Sequence, residues 1–286
     1  MLRFRPWMLL LPLILLLAPT SLAPFFYAIY ISLFRYVIAS PAPVIFVGLN
    51  NYVKILGDEM FANALLRGIL FSLSCVSIQI IIGFIIALFL QKVSGKLSTI
   101  ARVVLCIPLA APPIVIGTMW KLMLNPDVGP LPFILRIIGV HFNIGQNPAH
   151  AFFATVLMDT WHWTPLVALI LLSGLVSIPP ELYEVADVNG ATMLHKLRYV
   201  TIPLIKQEFL IAALIRFMDS LRIFDEVWML TAGGPGGATQ YLGIYIYRLV
   251  LSQWDLGYGS AVSIVSLYLI VVVSMILFRV IMGGKS

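Results

Sequence analysis

The stretch PPELYEVADVNGATMLHKLRYVTIPLI, residues 179–205, decides the fold prediction, because it places acidic, basic and amide side chains inside an otherwise apolar chain. Of the 286 residues, 61% are hydrophobic and only 10% are charged. Soluble domains carry roughly 25% charged residues, so this composition predicts an all-α integral membrane protein. A polar insertion between apolar blocks then predicts a structured loop at one face of the membrane.

The apolar blocks predict the membrane spans. At roughly 20 residues per span, the chain has room for about six spans in a single transmembrane domain, residues 1–286. The first block faintly resembles a cleavable signal peptide, but its apolar run continues without a break and favours an uncleaved span. The fifth block carries Arg216, Asp219 and Arg222, which predict a position inside a helix bundle. The predicted spans are 7–33, 69–90, 103–124, 152–176, 203–224 and 261–280.

The basic residues predict the orientation. Lysine and arginine accumulate in the cytoplasmic loops of membrane proteins, and the charge bias favours cytoplasmic positions for both termini. The stretch 179–205 then lies on the cytoplasmic side. The predicted cytoplasmic basic residues are Arg3, Arg5, Lys92, Lys96, Arg102, Lys196, Arg198, Lys206, Arg279 and Lys285.

Helix signals within 179–205 predict a helix–turn–helix between spans four and five, over residues 177–203. Two prolines end the fourth span and suit the first turn of a new helix, where a missing N–H costs nothing. Acidic residues spaced three apart, ending at Asp187, form a stripe on that helix. Gly190 breaks it, since glycine adopts left-handed backbone freely. On these grounds alone, a solvated interfacial loop and a docking element for a cytoplasmic partner both remain open.

The same segment resembles the EAA loop of binding-protein-dependent ABC importer permeases. The departures from the family pattern are mild, at Val185, Asn189 and Leu197. The positions that match the pattern are Glu184, Ala186, Gly190, Ala191, Val200 and Pro203.

Other segments resemble the MalF-type permease subunit of carbohydrate importers. These are GLNNYVKILGDEMFANAL (48–65), IPLAAPPIVIGTMWKLMLNPDVG (107–129), LTAGGPGGATQYLGIYIYR (230–248) and WDLGYGSAVS (254–263). The resemblance implies a core permease region of about 66–280, a multi-pass inner-membrane location and no enzymatic activity in this chain. It does not identify which sugar or polyol is carried.

The resemblance also implies the partners. A second permease subunit would complete the translocation path, an extracytoplasmic binding protein would deliver the solute, and two cytoplasmic ATPase subunits would use ATP and Mg²⁺. This chain would bind no cofactor, metal or nucleic acid itself. The residues implied in ATPase coupling are Glu184, Ala186, Asp187, Gly190, Ala191 and Pro203.

Polar and aromatic residues within the spans are candidates for the substrate path. Aromatic faces pack on sugar rings and carboxylates accept hydrogen bonds from hydroxyls. The charges of the fifth span are spaced three residues apart, which favours ion pairs between neighbours, and Asp225 and Glu226 can reach back to Arg222. A structural ion-pair ladder between subunits is therefore the alternative for these charges. A lone histidine such as His162 is more often a satisfied bundle residue. The candidates are Asp159, Trp163, Asp219, Arg222 and Asp225.

Two glycine-rich segments do not indicate a nucleotide site. The C-terminal GGKS lacks the first glycine of a phosphate-binding loop, and no strand precedes TAGGPGGATQ at 231–240. The latter is predicted to be an outer gate, a binding-protein contact or a plain connecting loop. A secondary carrier is the alternative function, but such carriers are generally built from inverted repeats, and none is evident.

Overall fold

The computed structural model describes residues 10–38 and 40–282, so Arg3, Arg5, Lys285, the start of the first predicted span and the C-terminal GGKS lie outside the described residues. Helices dominate, with one small antiparallel pair of strands, β1 Phe34–Arg35 and β2 Ile45–Phe46. Two short π-helical segments cover Leu197–Thr201 and Arg248–Ser252. The α-helices are α1 Leu11–Ser32, α2 Asn50–Leu56, α3 Glu59–Lys92, α4 Gly95–Ala110, α5 Pro113–Met123, α6 Pro130–Ile137, α7 Pro148–Ser177, α8 Pro180–Val188, α9 Met193–Lys196, α10 Ile202–Leu204, α11 Lys206–Ser220, α12 Asp225–Thr231, α13 Leu242–Tyr247 and α14 Leu256–Met282.

Four described helices are long and apolar enough to cross a membrane: α1, α3, α7 and α14. The pair α4 and α5 would make a fifth span if its two halves cross together. The predicted count of six is therefore not confirmed. The all-α membrane fold and the helix–turn–helix between the fourth and fifth predicted spans are confirmed.

The third predicted span, 103–124, is not one straight helix. It divides into α4 and α5, which meet at an angle of 91°. Ala111 and Pro112 have extended backbone, with ψ of 135° and 141°. Proline lacks an N–H and forces the residue before it away from helical geometry, which accounts for the break.

The fifth predicted span, 203–224, is also interrupted. Ile205 leaves helical geometry at ψ 18°, and the main helix, α11, ends at Ser220. The chain then crosses a short connection and starts α12 at Asp225, whose carboxylate and that of Glu226 lie in the first turn. Acidic residues favour the positive N-terminal end of a helix, so they start a new helix here.

The contacts divide the chain into two compact units, each with its own packing. The first contains the described residues up to Ala62 together with Tyr245–Val271, and the second contains Asn63–Ile244 with the residues from Val272 onward. In the second unit, α3, α5, α7 and α12 contribute to one apolar core. Its fully buried members include Phe71, Ile116, Met158, Leu230, Tyr241 and Ile244.

In the first unit, a single carboxylate organises the start of α3. Asp58 Oδ1 accepts hydrogen bonds from the backbone N–H groups of Met60 and Phe61, while Oδ2 accepts from the hydroxyls of Tyr245 and Tyr258. Partial burial by itself raises the pKa of the Asp58 carboxyl, but the four hydrogen bonds outweigh it and hold the pKa below its usual value of 3.8. Asp58 is therefore a carboxylate at neutral pH.

Replacing Asp58 with Asn is expected to lower the free energy of unfolding by about 1–3 kcal/mol at neutral pH. Asparagine has one acceptor oxygen in place of two and lacks the negative charge that strengthens the hydrogen bonds from tyrosine. The folded pKa is depressed, so the advantage of wild type is present above the unfolded value of 3.8 and is lost as pH falls through the folded pKa. Urea unfolding in detergent from pH 7 to pH 3 measures this. The exposed neighbour Glu59, changed to Gln, is the control, and equal effects of both variants at all pH values would contradict the role of Asp58.

Candidate substrate cavity and coupling loop

A buried cluster of charged and amide side chains ties three helices of the second unit together. Arg216 in α11 is only 1% exposed, and its Nη2 donates to Asp159 Oδ1 at 3.0 Å and Oδ2 at 2.9 Å in α7. Its Nε donates to Gln79 Oε1 in α3 at 3.0 Å, and Gln79 Nε2 donates to Asp159 Oδ2 at 2.7 Å. Buried charges need partners of this kind, so the cluster is a satisfied network.

The cluster continues towards more exposed side chains at the end of α11 and in the connection after it. Arg216 Nη1 donates to Asp219 Oδ2 at 2.6 Å, and Arg222 Nη2 lies 3.8 Å from Asp219 Oδ1. The guanidinium of Arg216 also lies over the Trp163 ring, 4.7 Å from its centroid. These charges therefore form ion pairs within the chain, and Arg216 at their inner end is fixed by α7 and α3. An ion-pair ladder between subunits stays a prediction.

These side chains border a cavity of about 290 Å³. All five predicted substrate-path residues line it, although they come from α7, α11, the connection after α11 and the start of α12. Their contact with a solute stays a prediction. The lining residues are Pro113, Asp159, Trp163, Asp219, Ser220, Arg222, Ile223, Phe224, Asp225 and Glu226.

Two further residues of this region were missed or misplaced by sequence reasoning. Glu226 was expected to reach back to Arg222, but its Oε1 instead lies 2.7 Å from His162 Nδ1, with both side chains buried. His162 is thus a satisfied bundle residue, as its isolation in the sequence suggested. Gln79 was not singled out, although a lone amide within an apolar span was a usable signal.

The coupling loop, defined as residues 179–205, forms the predicted helix–turn–helix. At the end of α8, Ala191 N–H donates to Ala186 O and Gly190 N–H donates to Asp187 O, both at 2.9 Å. This pair of bonds is the Schellman motif, which requires a left-handed residue, and Gly190 supplies it at φ +73°. Thr192 caps α9 by accepting from the N–H of His195.

Side-chain contacts hold the two helices of the coupling loop together. Lys196 in α9 forms a salt bridge with Asp187 in α8. Tyr183 Oη lies 3.0 Å from Thr201 Oγ1, which joins α8 to the π-helical segment before Pro203. The motif therefore has a defined internal geometry.

The exposed surface of the coupling loop carries apolar as well as charged side chains. No residue of α8 or α9 is buried. Val185, Val188 and Leu194 are 60%, 89% and 74% exposed, next to the exposed carboxylate of Glu184. Contiguous exposed apolar patches are typical of interaction surfaces.

The glycine-rich loop at 231–240 is pinned by internal contacts. Arg67 Nη1 donates to Gly237 O at 2.6 Å, and Thr231 Oγ1 lies 2.7 Å from Thr239 Oγ1. The role of this loop as an outer gate, a binding-protein contact or a plain connecting loop stays a prediction.

Comparison with known proteins identifies relatives over almost the whole chain. Residues 79–283 match the family described as binding-protein-dependent transport system inner membrane component. A trehalose/maltose transport system permease protein of Thermococcus litoralis is 36% identical, over 96% of this chain and 92% of that protein. A sulfoquinovosyl glycerol transport system permease protein of Agrobacterium fabrum is 32% identical, over 96% of this chain and 89% of that protein.

The fold is also similar to a solved structure. The crystal structure of a bacterial ABC transporter involved in the import of the acidic polysaccharide alginate aligns with a TM-score of 0.80 and 20% sequence identity. The alignment covers 98% of this chain and 96% of that one. At this identity the likeness concerns the fold alone.

Proposed function

Since this chain belongs to the family of binding-protein-dependent transport system inner membrane components, we propose that it forms half of the translocation path of an ATP-driven importer for a sugar, oligosaccharide or related polyol. Its similarity to a trehalose/maltose permease protein and a sulfoquinovosyl glycerol permease protein supports the carbohydrate class. The observation that carries the proposal is the exposed coupling loop, which has the form of a docking element in a chain that carries no ATPase motif in its sequence.

The partners follow from this role. Two cytoplasmic ATPase subunits receive the coupling loops of two permease subunits, of which this chain is one. An extracytoplasmic binding protein presents the solute, and ATP and Mg²⁺ are used by the ATPase. The chain lies in the inner membrane with both termini on the cytoplasmic side, which puts the coupling loop where the ATPase is.

The coupling surface is built from α8 and the turn that follows it. Glu184 and the exposed valines that follow it, Val185 and Val188, provide charged and apolar contacts on a single short helix. The salt bridge from Lys196 to Asp187 and the Schellman motif keep α9 in a fixed position beside α8. A helix pair held in this way transmits a rigid-body displacement from the ATPase towards Pro203 and α11.

Within the membrane, the cavity beside α7 and α11 provides the solute contacts. Trp163 offers an aromatic face, and Asp219, Arg222 and Asp225 offer polar groups at the cavity. Asp159 contributes mainly by holding Arg216, because both of its oxygens are already hydrogen bonded.

Replacing Gly190 with Val is expected to weaken ATPase binding while leaving membrane insertion intact. A non-glycine residue in left-handed backbone costs about 1–2 kcal/mol, and a β-carbon here would meet nothing within 4 Å, so the effect arises from the backbone alone. Gly190→Asn is the matched control, because asparagine tolerates this conformation. Co-purification of the ATPase with each tagged variant measures the effect, and equal recovery with Val and Asn would count against the turn.

The importer function is tested by solute uptake into vesicles that contain the assembled transporter. Uptake that requires internal ATP and the ATPase subunits, and that persists when the proton gradient is collapsed, is the expected result. Uptake driven by a proton gradient in vesicles of this chain alone would overturn the proposal in favour of a secondary carrier.

A further inference from the structure

The cavity beside α7 and α11 carries an excess of acidic groups. Its lining contributes four carboxylates but only one guanidinium, and Arg216, behind Asp159, adds a second. With the His162–Glu226 pair either neutral or negative, the charges of the lining and of Arg216 sum to at least one negative charge. The lining carboxylates are those of Asp159, Asp219, Asp225 and Glu226.

The carboxylates differ in how many of their oxygens already have a hydrogen-bond or ion-pair partner. Both oxygens of Asp159 accept from Arg216, and both oxygens of Asp219 face guanidinium groups. Glu226 is 3% exposed, and only its Oε1 has a partner, His162. Glu226 Oε2 is buried at the cavity with no hydrogen-bond partner among the described residues.

An unpaired buried carboxylate oxygen is costly, about 1–3 kcal/mol or more, and buried polar atoms of this kind require an explanation. Glu226 is also held in place from two sides. Its Oε1 is fixed by His162, and its backbone carbonyl packs against Gly117 of α5, where a β-carbon would come within 2.4 Å of it. Its position is therefore set by packing. The free oxygen has almost no accessible surface, so it gains a partner when a donor in the cavity displaces the side chains that cover it.

Resting on the proposed function, we infer that this cavity selects neutral or cationic solutes rich in hydroxyl or ammonium donors, and excludes anionic ones such as uronic acids and sugar phosphates. Glu226 is the acceptor that recognises a donor of the solute, and His162 is the residue that positions it. A hydroxyl or ammonium group would satisfy Glu226 Oε2, whereas a carboxylate or phosphate would add a like charge to an already negative, low-dielectric site.

Thiol reactivity measures the charge of the cavity directly. Ile223, which lines the cavity, is changed to Cys in the full chain, reconstituted in nanodiscs, with Cys106→Ser. The other native cysteine, Cys75, is fully buried. Reaction rates are compared for a cationic and an anionic methanethiosulfonate reagent. Any effect of the site on thiol ionisation changes both rates equally and cancels from their ratio.

The reference is Val128→Cys, which is 79% exposed and outside the cavity. The cation-to-anion rate ratio at Ile223→Cys is expected to exceed this reference about tenfold, since clefts lined by one sign of charge concentrate counter-ions to that extent. Adding Glu226→Gln is expected to lower the ratio at least about threefold. A ratio equal to or below the reference would overturn the charge assignment. If Glu226→Gln does not fold, exposed Asp225→Asn provides the same comparison.

Protection by sugars tests recognition by Glu226. Glucose and glucosamine are expected to slow labelling of Ile223→Cys more than glucuronate at equal concentration, and Glu226→Gln is expected to remove that difference. Equal protection by glucuronate, or no protection by glucose and glucosamine, would overturn the inference.

ATP-driven uptake by the assembled transporter is measured separately. Normal uptake with a neutral cavity would overturn only this inference. A negative, sugar-protected cavity without ATP-driven uptake would overturn the importer proposal instead.

Discussion

Replacing Arg216 with Ala is expected to destabilise the chain by about 3–5 kcal/mol, the cost of leaving one partner of a buried ion pair uncompensated. Asp159 is 1% exposed and would keep its negative charge without the two hydrogen bonds from Arg216. Gln79 Oε1 would also lose the hydrogen bond that it accepts from Arg216 Nε. The free energy of unfolding of the purified chain in detergent, from urea titration followed by circular dichroism, measures this loss.

The control variant is Arg222→Ala, which removes an arginine six positions later in the chain. The Arg222 side chain is 62% exposed and lies 3.8 Å from its partner, Asp219. Exposed pairs contribute about 0–1 kcal/mol, so Arg222→Ala is expected to leave the unfolding curve almost unchanged. A similar loss in both variants would contradict the buried network as the source of stability.

A double variant separates the charge from the packing. Arg216→Met with Asp159→Leu removes both charges and keeps apolar volume, and such replacements of buried pairs are often neutral or stabilising. Much of the stability lost in Arg216→Ala is therefore expected to return. Stability restored without transport would place the charges in the substrate path, whereas transport restored together with stability would assign them to the scaffold.

Replacing Gly117 with Ala is expected to cost about 1–3 kcal/mol by overpacking and to impair transport. A β-carbon at this position would lie 2.4 Å from Glu226 O and 2.8 Å from Met229 Cβ. Backbone cannot move aside as a flexible side chain can, so α12 must shift away from α5. That shift would displace Glu226 from His162 and change the cavity.

The matched control is Gly68→Ala in α3, where an added β-carbon meets nothing within 4 Å. Glycine in a helix interior is less stable than alanine by roughly 0.5–1 kcal/mol, so this variant is expected to be slightly more stable than wild type. Unfolding titrations and uptake assays on both variants test the difference. Equal behaviour of Gly117→Ala and Gly68→Ala would show that the α5–α12 contact tolerates expansion.

Much of the architecture could be predicted, because the length of an apolar run and the position of a proline determine the local backbone without help from distant residues. The coupling loop is the clearest case, since Pro180 and Gly190 occupy the helix start and the left-handed turn that their backbone chemistry favours. The bend between α4 and α5 was less accessible. The prolines at 112 and 113 predict an interruption of the helix. The 91° angle, however, depends on which residues pack against α4 and which pack against α5.

The site was predicted unevenly for a similar reason. Sequence spacing along one helix correctly suggested the pair between Arg216 and Asp219. The partners in other helices could not be found in this way. Gln79 lies 137 positions from Arg216, and His162 lies 64 from Glu226. Such pairs form only when the bundle brings distant helices together. From sequence alone, Glu226 was therefore paired with Arg222, the nearest cation along the chain.

The π-helical segment Leu197–Thr201 affects the direction in which the side chains beyond it face relative to the coupling loop. Each residue of an α-helix turns the chain by roughly 100°, and a π turn contains one residue more than an α turn. The N–H of Ile202 accordingly bonds to the carbonyl of Leu197, five positions back. Loss of a single residue here could still give a continuous helix, but everything beyond it would face a different direction. The number of residues between Gly190 and α11 is thus itself a structural parameter, independent of which residues they are.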